Sequence, residues 1–180
     1  AGGPIDTYSI FYAKSLGMSV EAYGKLLVIT YAISFTLSFF LGWLADKFHP
    51  LRVGLAAILI YAAVMLWGGF VANTVTTFSF VFIAHGVLMG CFITGTASIG
   101  QRLFPQAKFA QFASAAGIAG ALGYMILPPV VGLWLDASGH VYRYTFLGSG
   151  VIGILSFVAM FITYRKFLKL GGDKNYSPPL

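Results

Sequence analysis

The sequence predicts an all-α fold, a polytopic transmembrane helix bundle of six spans in which the first span is truncated. Three observations predict this fold. Of the 180 residues, 58% are hydrophobic and 9% are charged, whereas an ordinary soluble domain has about 25% charged residues. The mean hydropathy is +0.85. The few charged residues also leave long uncharged runs, as expected where a bilayer core of about 30 Å needs roughly 20 apolar residues per helix.

Four uncharged runs are long enough to cross a bilayer, and the longest of them must cross twice. Its predicted hinge is the polar stretch at residues 73–77. The first 16 residues are largely apolar, but at 1.5 Å per residue they reach only about 24 Å, which is too short to span. The runs are residues 26–45, 53–101, 109–135 and 144–164.

Local start and stop signals separate the predicted helices. They are a glycine and a capping serine after the first helix, prolines after the second and fourth, and a Ser-Gly pair before the last. These signals are Gly17, Ser19, Glu21, Pro50, Pro105, Ser138 and Gly139. The predicted helices are residues 1–16 (partial), 22–45, 52–72, 77–101, 108–135 and 143–168, followed by a disordered polar tail.

Basic residues distinguish the two membrane faces. In the six-span topology, eight of the eleven Lys and Arg residues lie on one side and three on the other. The positive-inside rule therefore predicts a multi-pass protein of the cell (inner or plasma) membrane with a cytoplasmic C-terminus. The net charge of +6 follows from this topology, so no nucleic-acid partner is predicted. The eight are Lys47, Arg52, Arg102, Lys108, Arg165, Lys166, Lys169 and Lys174; the three are Lys14, Lys25 and Arg143.

The most specific motif lies between the second and third spans, where the chain reads Gly-Trp-Leu-Ala-Asp-Lys-Phe-His-Pro-Leu-Arg at residues 42–52. This segment resembles the cytoplasmic loop motif of the major facilitator superfamily, Gly-x-Leu-Ala-Asp-Arg-x-Gly-Arg-Arg. It departs from that motif at residues 49–51, and Arg52 comes one place late. Such departures are expected if this segment is the weaker copy of the motif, which recurs in the second half of these transporters. The matching residues are Gly42, Leu44, Ala45, Asp46 and Lys47.

The resemblance implies an architecture and a mechanism. Residues 1–169 would be the C-terminal six-helix half of a twelve-span transporter, residues 170–180 a cytoplasmic tail, and the missing N-terminal half a partner. Such proteins move solutes by alternating access. The motif would form a cytoplasmic gate, in which we expect Asp46 to cap an adjacent helix N-terminus. The predicted gate residues are Gly42, Asp46, Lys47 and Arg52.

Asp6 is the first candidate for a substrate- or proton-binding group. It lies eleven residues before Gly17, a depth of about 16 Å that is close to the bilayer midplane. A carboxylate costs roughly 2.5–3.5 kcal/mol there, so it usually faces a cavity or a partner. The preceding Gly-Gly-Pro at residues 2–4 is expected to break the helix beside it. A wet cytoplasmic mouth or a structural pair with the missing half are the alternatives.

Four further polar residues complete the predicted site. Tyr8, Ser9 and Tyr12 follow Asp6 and add hydrogen-bonding or stacking surface. His85 lies about eight residues into its span, where it could relay protons or donate to a polar substrate. The alternative for His85 is a hydrogen bond to a backbone carbonyl between packed helices.

Small residues predict close helix packing at three pairs, Gly86 with Gly90, Ala116 with Gly120, and Gly117 with Ala121. Nucleophile elbows, cysteine pairs and clustered metal ligands are missing from the sequence, so no enzyme activity, cofactor or metal is predicted.

The predicted function is secondary active transport of a small polar solute, with proton coupling as one option. The 17% aromatic content and the Tyr8–Tyr12 pair suit a sugar-like small-molecule substrate. An intramembrane enzyme and a structural or receptor-like membrane module are the alternatives.

Overall fold

The computed structural model describes residues 1–178, so the last two positions of the predicted tail lie outside the described residues. Every regular element in this part is helical. The helices are α1 Gly3–Ser15, α2 Val20–Phe48, α3 Pro50–Val71, α4 Val75–Thr96, α5 Ile99–Leu103, α6 Phe109–Ala137, α7 Tyr144–Lys169 and α8 Gly172–Asn175, with a 3-10 turn at Gln106–Lys108.

Five segments are long and apolar enough to cross a membrane, and they correspond to α2, α3, α4 with α5, α6 with its preceding turn, and α7. Helix α1 has 13 residues, a length of about 20 Å that is too short to span. The predicted all-α polytopic bundle is therefore confirmed, with five helices long enough to span and a short first helix.

Helix α3 lies at the centre of the bundle, because it packs against α4 on one side and α7 on the other. It is apolar around most of its circumference, as expected for a helix enclosed by neighbours. Its Tyr61 and Met65 belong to one buried cluster with Phe78 of α4, Phe146 of α7 and Ile5 of α1. This cluster holds α1 against the bundle although α1 is short.

Helices α2 and α6 lie at the periphery. Only 6% of the most apolar stretch of α2 and 11% of that of α6 is buried within the described chain. Val131 and Leu135 are the buried residues of α6, so that helix is attached near its C-terminal end. Both helices therefore present long apolar faces that the described residues leave uncovered.

The small-residue pairs of α4 and α6 have different surroundings. A Cβ on Gly86 would collide with the methyl group of Thr30 on α2, and one on Gly90 would lie 3.0 Å from the Ser34 hydroxyl oxygen. A Cβ on Gly117 or Gly120 would meet nothing within 4 Å. Close packing therefore occurs at the α4 pair, whereas within the described chain the α6 pairs stay open.

The prediction of a loop at residues 46–52 is wrong, because α2 continues to Phe48 and α3 begins at Pro50. Proline suits the first turn of a helix, where its missing N–H is not needed. His49 alone makes the turn, with a φ of 74°. The residues on either side of it therefore occupy helix ends.

Two further segments differ from the sequence-based prediction. Helix α4 ends at Thr96 rather than near residue 101, and the separate helix α5 follows. The prediction of a disordered tail is wrong for residues 172–176. Gly171 turns the chain with a φ of 106°, helix α8 follows, and the Tyr176 hydroxyl donates to the Leu103 carbonyl at 2.9 Å.

Candidate functional site

Asp6 lies in the first turn of α1. Pro4 is at the start of this helix, and the backbone N–H of Asp6 donates to the Gly2 carbonyl at 3.1 Å. The Gly-Gly-Pro segment thus begins a helix, and the predicted open backbone beside Asp6 is not found. A carboxylate in a first turn is favoured by the helix dipole. Its side chain is 57% exposed, so one part faces outward while another contacts the bundle.

The inward contact of Asp6 is His85 on α4. The Nε2 atom of His85 lies 3.0 Å from the Asp6 Oδ1 atom, and the His85 side chain is 3% exposed. Its other ring nitrogen, Nδ1, lies 3.1 Å from the hydroxyl of Tyr61 on α3. Three helices thus contribute one residue each to a hydrogen-bonded chain, which we call the polar chain (Asp6, His85 and Tyr61).

Hydrogen-bond donors and acceptors in the polar chain fit a neutral histidine. A neutral imidazole has one donor and one acceptor nitrogen. When the Tyr61 hydroxyl donates to Nδ1, the proton of His85 stands on Nε2 and donates to the Asp6 carboxylate. A Tyr61 hydroxyl that donates in this way is compatible with the tautomer in which His85 donates to the carboxylate.

The polar chain borders a groove between α2 and α4 with a volume of about 300 Å³. Hydroxyl groups line it on the α2 side, where the Thr30 hydroxyl donates to the Leu26 carbonyl at 2.8 Å and the Tyr31 side chain is exposed. Asp6 and His85 line its inner end. The groove therefore combines one carboxylate, one imidazole and several hydroxyls with apolar walls.

A second polar cluster lies at one end of the bundle, which we call the basic end (α5, α8, and the junction of α2 and α3). Arg102 donates to the Asp46 carboxylate at 2.8 Å. Arg52 donates to the Tyr164 hydroxyl at 2.9 Å and contacts the Asp173 carboxylate at 3.0 Å. All of these ion-pair side chains are at least 36% exposed.

The remaining residues of the predicted gate motif differ in their contacts. The Lys47 ammonium lies 4.9 Å from the centre of the Trp43 ring, whereas a Cβ on Gly42 would meet nothing within 4 Å. His49 rather than Asp46 caps α3, because its Nδ1 accepts from the Leu51 N–H at 3.3 Å. Burial lowers the pKa of His49, which favours the neutral ring that this cap requires.

Comparison with protein-family models decides the class of the protein. The model of the Major Facilitator Superfamily matches residues 7–174. This chain belongs to the major facilitator superfamily. Superfamily members are transporters rather than enzymes, and the five long apolar helices agree with a multi-pass membrane transporter. Comparisons with curated proteins and with solved structures give no match.

The structure brings together only part of the substrate- or proton-binding site that the sequence predicts. Asp6 and His85 are in contact, but three hydroxyl groups of α1 bind other partners. Tyr8 donates to the Pro128 carbonyl of α6 at 2.8 Å, Ser9 shares a hydrogen bond of 2.8 Å with Tyr23 of α2, and Tyr12 donates to the Ala72 carbonyl. These three side chains connect α1 to its neighbours.

Tyr61 and Arg102 are the residues that sequence reasoning missed. Tyr61 lies twelve residues before Asn73 and His85 lies twelve after it. Two antiparallel helices joined at residue 73 place these side chains at the same depth, so this equal spacing was the available signal. Arg102 was counted only as a topological charge, although an acidic residue at the same face offered it a partner.

Proposed function

We propose that this chain forms one half of a secondary transporter that moves a small polar solute by alternating access and couples this movement to protons. The observation that carries the proposal is the polar chain, in which a half-exposed carboxylate contacts a buried histidine beside an open groove. The carboxylate and the imidazole are 3.0 Å apart, so a proton on either group lies within hydrogen-bond reach of the other. Ionisable residues inside a membrane usually mark such pathways.

The groove supports a solute with several hydroxyl groups. Its polar atoms are hydroxyls, one carboxylate and one imidazole, which hydrogen-bond sugar-like molecules without needing a charged ligand. The exposed ring of Tyr31 offers an apolar face beside them. A neutral sugar or polyol is therefore the substrate class that we infer.

The uncovered faces of α2 and α6 support a second six-helix half as partner. Both faces are apolar and nearly free of buried residues within the described chain, and the open glycines of α6 would allow close approach of another helix. The groove beside α2 would then lie between the halves, where substrates of transporters with repeated halves bind. Lipid would cover the remaining apolar surface.

We infer that the basic end faces the cytoplasm of a cell-membrane transporter, because it carries most of the Lys and Arg residues. The Asp46–Arg102 pair connects the end of α2 to α5. We propose that this pair limits opening on that side. In the full-length transporter, Asp46→Asn should increase the labelling of engineered cysteines from the cytoplasmic side, and unchanged labelling would contradict a gate.

Proteoliposomes that contain the full-length transporter and a trapped pH-sensitive dye test the proposed coupling. A panel of neutral sugars and polyols is added outside, and a substrate should acidify the lumen. Asp6→Asn should abolish this signal and pH-driven accumulation while equilibrium exchange of the same solute continues. Asp136→Asn is the matched control, since Asp136 is an exposed acid on α6. Normal proton movement in Asp6→Asn would contradict the coupling.

A further inference from the structure

Helix α7 carries a continuous apolar face that the other described residues leave largely uncovered. Six of its side chains are each at least 42% exposed, and their spacing places them on one side of the helix. The buried residues of α7, such as Gly153 and Phe167, lie on the opposite side. We call the exposed set the apolar stripe (Val151, Ile154, Leu155, Val158, Phe161 and Ile162).

The length of the apolar stripe matches the depth of one lipid leaflet. From Val151 to Ile162 the helix rises about 16 Å at 1.5 Å per residue. Half of a hydrocarbon core of about 30 Å is about 15 Å. Because the proposed partner half covers α2 and α6, this face of α7 is left to lipid, and its length suits one acyl chain.

Three cations follow the apolar stripe at the C-terminal end of α7. Arg165, Lys166 and Lys169 are exposed and continue the same helix face. Together with Phe161 and Ile162 they line a groove with a volume of about 360 Å³. The guanidinium carbon of Arg165 lies 6.0 Å from the centre of the Phe161 ring. Apolar and cationic surfaces therefore adjoin in the order in which a phospholipid presents its acyl chains and its phosphate.

The acidic side chains of the protein pair elsewhere. The sequence has five Asp and Glu residues, and each lies within 3.5 Å of a basic side chain outside the groove. The pairs are Asp6 with His85, Glu21 with Lys25, Asp46 with Arg102, Asp136 with His140, and Asp173 with Arg52. The three cations of the groove are thus left without an acidic side-chain partner in the described chain, and an anion from outside would offset their mutual repulsion.

The opposite side of α7 fixes the groove in place. Phe167 is buried and packs between the rings of His49 and Tyr176, with ring centres 4.5 Å and 5.0 Å apart. One turn earlier, the Tyr164 hydroxyl accepts from Arg52 at 2.9 Å. These contacts hold the last turns of α7 against the basic end, so the cations on the outer side are presented by a packed helix.

We propose that this groove binds the headgroup of an acidic phospholipid from the leaflet at the basic end, while the apolar stripe contacts one of its acyl chains. The Arg165 guanidinium suits two phosphate oxygens, and the two lysines add point charges. A zwitterionic headgroup binds less well, because its own cation is repelled by the groove. The inference goes beyond the proposed function and does not depend on proton coupling.

Quenching of tryptophan fluorescence by brominated lipids measures this binding. In the full-length transporter, Val158→Trp places a reporter in the apolar stripe, and all native tryptophans are replaced by phenylalanine. The protein is reconstituted in vesicles of phosphatidylcholine with a minor fraction of phosphatidylglycerol. Either one lipid or the other carries brominated acyl chains, and the two quenching curves give the relative binding constant of the two lipids at the stripe.

The reporter protein with its native groove should prefer phosphatidylglycerol by at least about fivefold, since one cation beside an anionic membrane surface contributes about this factor. Lys166→Gln with Lys169→Gln should remove most of the preference, whereas Lys166→Arg with Lys169→Arg should keep it. Lys108→Gln with Lys174→Gln is the matched control. It removes the same charge from the same membrane face, outside the groove, and should leave the preference unchanged.

Native mass spectrometry of the detergent-solubilised transporter is the second measurement, and it needs no reporter if Val158→Trp does not fold. Added phosphatidylglycerol should stay bound to the wild type and to the matched control, but not to the variant with Lys166→Gln and Lys169→Gln. An excess of glycerol phosphate should not displace it, because this soluble anion lacks the acyl chain that contacts the apolar stripe.

Equal binding of the two lipids to the native groove would overturn the inference, as would an equal loss of preference in the matched control. A reporter that neither brominated lipid quenches would mean that another protein surface covers the stripe, which also contradicts a lipid site. Displacement by glycerol phosphate would assign the groove to a free phosphate instead. Because no solute or proton gradient is involved, a failure here leaves the proposed transport function unaffected.

Discussion

The polar chain and the basic end contain similar chemical groups in opposite surroundings. Asp6 and His85 meet where the histidine is 3% exposed, whereas Asp46 and Arg102 meet with side chains that are 77% and 36% exposed. A buried polar group that loses its partner keeps its desolvation cost, while an exposed ion pair is screened by water and salt. The two clusters should therefore differ in what their loss costs and in how salt changes that cost.

The largest effect is expected for His85→Ala. This change removes two hydrogen bonds and the packing of the imidazole against Tyr61 and Phe82. The free energy of unfolding should fall by about 2–4 kcal/mol, measured as a lower Tm in detergent. His140→Ala is the matched control, because His140 is exposed beside Asp136. An equal decrease in Tm for His85→Ala and His140→Ala would mean that burial does not make the His85 contacts more stabilising than those of an exposed histidine.

Gly86→Ala tests whether α4 packs tightly against α2 next to His85. The new methyl group would collide with the Thr30 side chain, and overpacking of this kind costs about 1–3 kcal/mol. Gly117→Ala should cost nothing in this chain, since that site is open. The Tm values of the two variants measure the difference. A Gly86→Ala variant with the Tm of the wild type would mean that α2 can shift to make room for the new methyl group.

A smaller effect is expected from the titration of His49 at the basic end. Burial lowers its pKa in the folded protein, so below an unfolded-state pKa of about 6.5 the unfolded chain binds more protons. The free energy of unfolding should therefore fall as pH drops below that value. His49→Asn keeps a side-chain cap and tolerates positive φ, and Tm should then lose this part of its pH dependence.

The smallest effect is expected for the Asp46–Arg102 pair. A double-mutant cycle with Asp46→Asn and Arg102→Gln should give a coupling energy of about 0.2–1 kcal/mol at low salt. High salt should remove most of it. A coupling energy that stays the same at high salt would show that the pair is shielded from water. The basic end would then resemble the buried polar chain in its response to salt.

The sequence predicted the helical bundle because apolar run length and charge spacing follow directly from bilayer thickness. It also proposed Asp6 and His85 as site residues because both are ionisable groups at a predicted mid-span depth, and the structure places these two side chains in contact. It missed that Tyr61 joins them, because a tyrosine in an apolar span has no distinguishing local signal. Partners across helices depend on rotation and register, which explains why Tyr8 and Tyr12 were expected in the site but bind backbone carbonyls instead.

The tail was predicted to be disordered for a related reason. Its Gly-Gly sequence and polar composition usually accompany disorder, and composition contains no information about a distant partner. Here Tyr176 packs on Phe167 with ring centres 5.0 Å apart. The glycine at 171 supplies a left-handed turn that returns the chain to the bundle.

Because α6 is attached near one end, a small tilt of the helix at that end moves its other end a long way. Its buried residues are Val131 and Leu135, and the Tyr8 hydroxyl holds it at Pro128. The distance along the axis from Pro128 to Phe109 is about 28 Å at 1.5 Å per residue. A tilt of about 10° at the attachment would displace the far end by about 5 Å, nearly one helical turn. A small tilt where α6 is attached would thus be magnified at the end of the helix that lies farthest from the attachment.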